Sequence, residues 1–471
     1  MIEAKLKVGF YQVAVFVLLA FIDLSDGGQI AMMSVTLPAV QKEFELGASS
    51  VSLLSSIFFI GTAIGSLSVG KFSDKYGRSR IIRIALVFQI VNALSFYFCK
   101  GFFALVILRF AYGFSYGFSL PLTTIYITEI VPLKVRGKWI VFINFFVTVG
   151  KLYGTIMAYY VMDNLEHGDW RLLMAYSAII PLLIFLCSFV FLFESMRYLL
   201  ANKLFDELKS TFNQIVAMNN SYVSDPEAPK SEEMSDEDIQ KLSAWADQHL
   251  EDDALASYKV LFRDEWIKIT ILVWIIWFNL NFMFFGQLAI LPYFFKSNSK
   301  GIGSVILTTS GELPVIFLTY FMIEHPNFGR KNSIFYFSLA SMFFNLLSVI
   351  FDTSMLELLM FSTRFFMKGV FATVYPYTSE VYPTSFRSVG YGFAAAVGRT
   401  GACIMPFIIF PVYYWHESLT FWIFGLNGLL CAISAYQLPY DTAGRTLDKT
   451  KAFKEEIEMH EKPKNFETAE V

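Results

Sequence analysis

Charge is what this chain has least of. Only 16% of its 471 residues are Asp, Glu, Lys or Arg, against 55% apolar, whereas soluble domains carry roughly a quarter charged. The formal net charge is −3, and no polybasic run interleaved with aromatics occurs, so a nucleic-acid partner is not expected. Cysteine is scarce as well. Cys99, Cys187, Cys403 and Cys431 fall within or at the edge of apolar runs and read as small packing residues, not as a disulfide framework. A phosphate-cradling Gly-Lys-Ser/Thr loop, a metal-ligand cluster and a nucleophile triad are all missing. No enzyme, cofactor, metal or P-loop ATP-driven pump is therefore expected.

What fills the chain instead is long apolar runs, to which Phe alone contributes 51 residues. A membrane span needs roughly 20 predominantly apolar residues. About twelve such segments are legible, near 10–37, 50–71, 81–99, 102–128, 138–161, 172–193, 266–294, 303–323, 333–351, 355–378, 388–411 and 418–438. The spacing predicts an all-α integral membrane protein of twelve transmembrane helices. The first run is too long for a signal-peptide core and reads as a retained span. With the N-terminus inside, the short inner segments hold Lys5, Lys7, Lys71, Lys75, Arg78, Arg80, Arg83, Lys134, Arg136, Lys138, Arg330, Lys331 and Arg387, and the outer ones only Lys42, Lys100, Lys296 and Lys300. Positive charge stays cytoplasmic, so both termini and the long central segment are expected there.

The charged punctuation occurs twice. Glu129-x-x-Pro132-x-x-x-Arg136 returns as Glu380-x-x-Pro383-x-x-x-Arg387, each preceded by a Tyr (Tyr126, Tyr377), with Gly77-Arg78 and Gly329-Arg330 upstream. Two similar hydrophobic halves are the signature of a secondary transporter with its path between them. We divide the chain into a six-span half at 1–194, a polar and acidic cytoplasmic linker at 195–264, a second half at 265–438 and a polar tail at 439–471. The Asn-x-Ser match at Asn219 lies in the linker and is expected to be unmodified.

The motif Gly70-Lys-Phe-Ser-Asp74-Lys-Tyr-Gly77-Arg78-Ser-Arg80 resembles the major facilitator motif between spans two and three. With Arg109, Gly113 and Gly117 running into Glu129 to Arg136, Glu194-Ser-Met-Arg197 after span six, and Pro439-Tyr-Asp-Thr-Ala-Gly444-Arg445 after span twelve, the chain resembles the sugar-porter and organic-ion branch of that superfamily. Trp277-Phe-Asn-Leu-Asn281 in span seven, Gly311-Glu312-Leu313-Pro314 in span eight and Arg399-Thr-Gly-Ala in span eleven look like the organic-ion and synaptic-vesicle-protein-like carriers. Two departures stand out: a first loop of only about a dozen residues, and Pro326 where the first half has Asp74. The resemblance implies a twelve-helix fold of two pseudo-symmetric six-helix bundles. It also implies that Asp74 helps latch the halves in the outward-facing state. Glu129 with Arg136, and Glu380 with Arg387, would form an inner ion-pair network, with Arg78, Arg330 and Arg197 as further partners, or would fix loop geometry alone.

Ionisable groups at membrane depth need a reason to be there. Asp23 and Asp26, three apart in span one, share a helix face and suggest a proton or organic-cation site, unless they are solvated near the interface. Gly27-Gly28 would loosen the helix beside them, and Gln29 would supply a neutral partner. Glu312 and Arg399 either pair across the cavity or face substrate. Lys151, between Gly150 and Gly154, snorkels outward or balances an acid; Arg109 and Arg364 open spans four and ten, where solvation competes with a cavity role. Trp274, Trp277, Phe282, Phe284, Phe285, Tyr375 and Tyr377 suit an aromatic wall, or simply pack. The expected function is alternating-access transport of a small organic solute, with proton coupling through Asp26 or Glu312. A proton-linked sugar porter and a non-transporting receptor on the same fold are the alternatives. The chain is expected to be a monomer in the bilayer of a plasma, vesicle or vacuole membrane.

Overall fold

The computed structural model describes residues 8–131, 133–221, 231–249, 261–323, 325, 328–351, 355–382 and 386–442; the side chains of several helix residues, Arg136 among them, lie outside the description, as do Glu324, Pro326 and the tail beyond 442. The described chain is almost wholly helical, with one isolated bridge between Met162 and Gly168. Its apolar runs dictate this, because a backbone in hydrocarbon must satisfy its own N–H and C=O groups, and a helix does so within one segment.

The first half comprises α1 (Phe10–Val35), a short α2 (Leu37–Glu43), α3 (Ala48–Tyr76), α4 (Arg78–Tyr97), α5 (Phe102–Ile130), α6 (Leu133–Val161) and a sixth span made of α7 (Trp170–Tyr176) and α8 (Ile179–Phe191). The connecting segment forms α9 (Met196–Ala201), α10 (Phe205–Ser221) and α11 (Asp236–His249). The second half comprises α12 (Asp264–Ser297), a span of α13 (Ile302–Ser310) and α14 (Pro314–Ile323), α15 (Gly329–Ile350), α16 (Leu356–Val381), α17 (Arg387–Trp415) and α18 (Glu417–Gln437). Ten spans are long and apolar enough to cross a membrane by length and composition. The helices α6 and α16 complete the twelve, and both carry basic residues in mid-length: Lys151 in α6, Arg364 and Lys368 in α16.

Gly27 and Gly28 do not loosen α1, which runs unbroken through them. They bring α6 into backbone contact instead. A Cβ on Gly27 would lie 2.0 Å from the Val147 carbonyl oxygen, and one on Gly150 would lie 2.0 Å from that of Leu24. Small residues allow this approach where no water drives helices together. The interruption lies elsewhere, in span eight. There Gly311, Glu312 and Leu313 form i→i−3 turns of 3.1 to 3.3 Å ahead of Pro314, which has no N–H to continue the ladder.

Buried apolar side chains divide into three clusters. One is shared by both halves at the end away from the linker, running from Ile30 and Phe58 to Phe294 and Phe410. The other two lie at the linker end, one inside each half. Among the described residues, the hydrogen bonds that bridge the halves, apart from that of Lys151 to Glu312 at mid-depth, fall at the far end: Ser52 to the Pro406 carbonyl at 2.8 Å, Ser56 to that of Cys403 at 2.7 Å, Ser34 to that of Leu288, and Gln41 to the Tyr414 hydroxyl at 2.6 Å. The halves are thus joined at the far end and at mid-depth, and none of the hydrogen bonds between them that involve the described residues lies at the linker end. Helix α10 is pinned to the first half, since the buried Asn219 amide accepts from the Tyr11 N–H at 2.9 Å and donates to Gln12 Oε1 at 3.0 Å. That burial leaves the Asn-x-Ser match no room for a glycan.

Candidate functional site

Helix α1 packs its acid pair against α5. Asp23 and Asp26 are 1% and 0% exposed. Asp26 accepts from Gln89 Nε2 at 2.7 Å and from the Ser119 hydroxyl at 2.5 Å; Asp23 Oδ1 accepts from the Thr123 hydroxyl at 2.9 Å. The register is helical on both sides, since Ser119 and Thr123 stand one turn apart on α5, as the acids nearly do on α1. Asp23 Oδ2 has no hydrogen-bond partner among the described residues. Every donor to the pair is neutral, and neither acid is solvated. Gln29 does not join them; it turns to the Ser177 carbonyl at 3.3 Å, and Gln89 from α4 takes its expected place.

A second charged cluster joins the halves at mid-depth. Glu312, in the turn of span eight, accepts from Lys151 of the first half through Oε2 and from Arg364 through Oε1, all three side chains being almost fully buried. The Lys151 ammonium also lies 4.3 Å from the centre of the Phe284 ring, within cation–π range. Glu312 is thus the partner of Lys151 and Arg364, not of Arg399. Lys151 does not snorkel outward, and Arg364 is not solvated at the outer end. Arg109 is buried too, donating to the carbonyls of Leu54 and Met33 at 3.5 and 3.3 Å. Lys368, one turn beyond Arg364 on α16, completes this face and was missed. The rule that finds intramembrane charges would have found it inside its apolar run.

The linker end carries paired anchors. In the first half, Gly77 (φ 94°) turns the chain between α3 and α4, and the Glu194 carboxylate accepts from the N–H groups of Arg78 and Ser79 at 2.7 and 3.2 Å. In the second, Gly329 (φ 60°) opens α15, and Asp441 accepts from the N–H groups of Arg330 and Lys331 at 2.9 and 2.8 Å. Each acid caps the N-terminus of a span, where the helix dipole favours negative charge. A Cβ on either glycine would stand 2.4 Å from a carboxylate oxygen, so φ and contact both select glycine here. Arg78 pairs with Asp74 at 2.8 Å and Glu129 at 3.4 Å, and Arg330 pairs with Glu380 at 2.7 Å. Tyr126 donates to the Phe193 carbonyl and Tyr377 to that of Tyr440. Asp441, after span twelve, is thus the counterpart of Glu194 after span six.

Several expected roles change accordingly. Tyr377 belongs to this anchor and not to a substrate wall. Arg387 does not pair with Glu380 among the described residues; its Nε donates to the Tyr382 carbonyl at 3.3 Å. Arg197 and Arg80 are exposed, and Gly70 has open space beside it. The Asp74 side chain is 69% exposed and paired only within its own half. Trp277 is buried, donating to the Thr378 hydroxyl at 2.9 Å and packing against Tyr375 at 4.9 Å, while Asn281 folds back on the Trp277 carbonyl at 2.8 Å. Arg399 is half-buried on α17.

At the far end Glu166 stands between Lys42 of its own half and Lys296 of the other, at 2.8 and 2.5 Å. Hydrogen bonds from Lys296 and Lys42 pull its carboxyl from 4.5 down to about 2. A depressed carboxyl contributes its pairing above its ordinary value and loses it as pH falls through about 2, so the clasp persists from pH 7 to 5. Glu166→Gln is expected to open the far end modestly, as exposed pairs are worth roughly 0.2–1 kcal/mol, up to about a fivefold shift. Labelling of a far-end cysteine from outside checks this; an opening that wild type shows merely on acidifying to pH 5 would contradict it.

Residues 13–453 match the family described as Sugar (and other) transporter. The chain belongs to that family. Within it, the transporter is 28% identical to the synaptic vesicle 2-related protein of Bos taurus, over 95% of this chain and 82% of the relative. It is also 28% identical to organic cation/carnitine transporter 7 of Arabidopsis thaliana, over 96% and 97%. Its fold is that of the xylose transporter XylE from E. coli in the inward-open conformation, with TM-score 0.74 and 18% identity over 94% of this chain and 99% of that one. It is a multi-pass membrane protein and a secondary transporter of a small organic solute.

Proposed function

We propose that the transporter couples proton movement to solute movement through Asp23 and Asp26, with the linker end facing the cytoplasm. The observation that carries this reading is a pair of buried carboxyl groups held only by neutral donors. Negative charge without a counter-cation is costly at membrane depth, and proton entry removes it. The cycle then rocks two six-span halves about the mid-depth charges. The packing shared by the halves at the far end supports reading this as the cytoplasm-open state, in which Asp74 pairs with Arg78 of its own half. Orientation rests on the basic residues of the linker end, and on the far-end bases Lys42, Lys296 and Lys300 being matched by Glu166 and Glu357. Residues 195–264 form the cytoplasmic connector, and the protein works as a monomer in a plasma or vesicle-type membrane.

The test is uptake into proteoliposomes of the purified protein with an imposed pH gradient, over radiolabelled carboxylates, amines and sugars. Accumulation that collapses when a protonophore dissipates the gradient is expected for one class. Downhill flux unaffected by the gradient would remove the proton from the cycle, and saturable binding without flux would favour a receptor.

A further inference from the structure

One buried cation stands apart from the charges at mid-depth. Arg109 lies about two turns in from the far end of α5 and is 5% exposed. No carboxylate among the described residues pairs with it. Its Nη atoms donate to the Leu54 and Met33 carbonyls at 3.5 and 3.3 Å, and its buried Nε has no hydrogen-bond partner among the described residues. Two hydroxyls share that condition. Ser55 of α3 and Tyr293 of α12 are 7% and 2% exposed, and neither hydroxyl is hydrogen-bonded among the described residues. Tyr293, from the second half, lies within electrostatic reach of Arg109. A guanidinium buried at this depth without an acid is expensive unless an anion answers it.

Arg109 and Ser55 line one cavity of about 50 Å³ at the boundary between the halves. Its other walls are almost wholly apolar, with Phe59 of the first half packed on Phe285 of the second at 4.8 Å. Ser34, also in the wall, spends its hydroxyl on the Leu288 carbonyl. We infer that Arg109 and Ser55 form a binding site for a single chloride ion, with the Tyr293 hydroxyl as the donor from the second half. The space exceeds what one water needs. It suits a monoatomic anion, which accepts from donors on every side and tolerates apolar walls better than a strongly hydrated oxyanion does. Chloride there neutralises the guanidinium and occupies all three donor groups. Because α3 and α5 supply one side of the site and α12 the other, parting the halves at the far end dismantles it. Chloride therefore favours the state in which the far end is shut. The site needs neither a proton gradient nor a bound solute.

Purified protein in sodium gluconate, titrated with sodium chloride at constant ionic strength, should show a saturable rise in melting temperature. Bromide should give a similar rise and sulfate none. Arg109→Met should abolish the rise and Arg109→Lys should retain part of it. Ser55→Ala, which removes one hydroxyl and leaves the charge in place, should move the midpoint to higher chloride. A second measurement follows the far end directly. Ala289 lines the same cavity from α12, so in a chain whose native cysteines are replaced by alanine, Ala289→Cys is reached from the far-end side only when the halves part. At ten times the midpoint concentration of chloride, its labelling by a membrane-impermeant maleimide should slow about tenfold, and Ser55→Ala should lessen the slowing at that concentration. A rise that follows ionic strength with any anion, one unchanged in both Arg109→Met and Ser55→Ala, or labelling indifferent to chloride would overturn the assignment.

Discussion

Asp26→Asn is expected to abolish proton-driven accumulation while leaving solute exchange in place. The amide keeps the size of the carboxyl and can still meet the Ser119 hydroxyl and the Gln89 amide, which now hold Asp26 at 2.5 and 2.7 Å, but it cannot take up and release a proton. One unit of pH gradient is worth about 1.4 kcal/mol per proton, or tenfold accumulation, and the variant should fall to no accumulation at all. Counterflow in proteoliposomes without a gradient measures the exchange that remains. Asp23→Asn should be weaker if Asp26 is the carrier, since Asp23 contributes one hydrogen-bonded oxygen and one without a partner among the described residues. Uphill uptake undiminished in Asp26→Asn would move the proton site elsewhere, with Glu312 next in line.

The second large effect is expected at Glu312 itself. Removing its carboxylate in Glu312→Ala leaves Lys151 and Arg364 buried and facing each other with nothing between them. Breaking a buried pair by deleting one partner costs roughly 3–5 kcal/mol, so the melting temperature in detergent should drop by many degrees and transport should vanish. The double variant Glu312→Ala with Lys151→Met should recover part of the stability, because it removes one of the two cations left uncompensated, and its departure from the sum of the two single variants measures the coupling across the halves. A melting curve identical to wild type would mean that water reaches the triad and screens it.

Much of the membrane architecture was legible in advance because hydrocarbon imposes one simple rule on long apolar runs. The doubled Glu-x-x-Pro-x-x-x-Arg motif exposed the two halves for the same reason, since any charge is conspicuous in so apolar a chain. The acid pair at Asp23 and Asp26 was readable from helical spacing. Its partners were not, because Gln89, Ser119 and Thr123 are ordinary polar residues on other helices, and nothing in their local sequence says which way they face. The exchange of partners at Glu312 had the same cause. Glu312, Lys151, Arg364, Lys368 and Arg399 were all visible as residues, or findable by one rule, but pairing depends on which helices adjoin across the halves. Gly27 and Gly28 read as a loosening of the helix, and only the position of α6 made them a contact.

The sequence by itself determined that this protein spans a membrane twelve times in two related halves, and which ionisable groups are placed where they are costly. Those properties follow from composition and periodicity, which act within one segment. The tertiary structure alone decided that the acids of α1 have only neutral donors, that one glutamate ties the halves through Lys151 while holding Arg364 of its own half, and that Lys368 and Arg399 have no ion-pair partner among the described residues. These are matters of distance between segments far apart in the chain, and electrostatic energy at membrane depth depends on that distance.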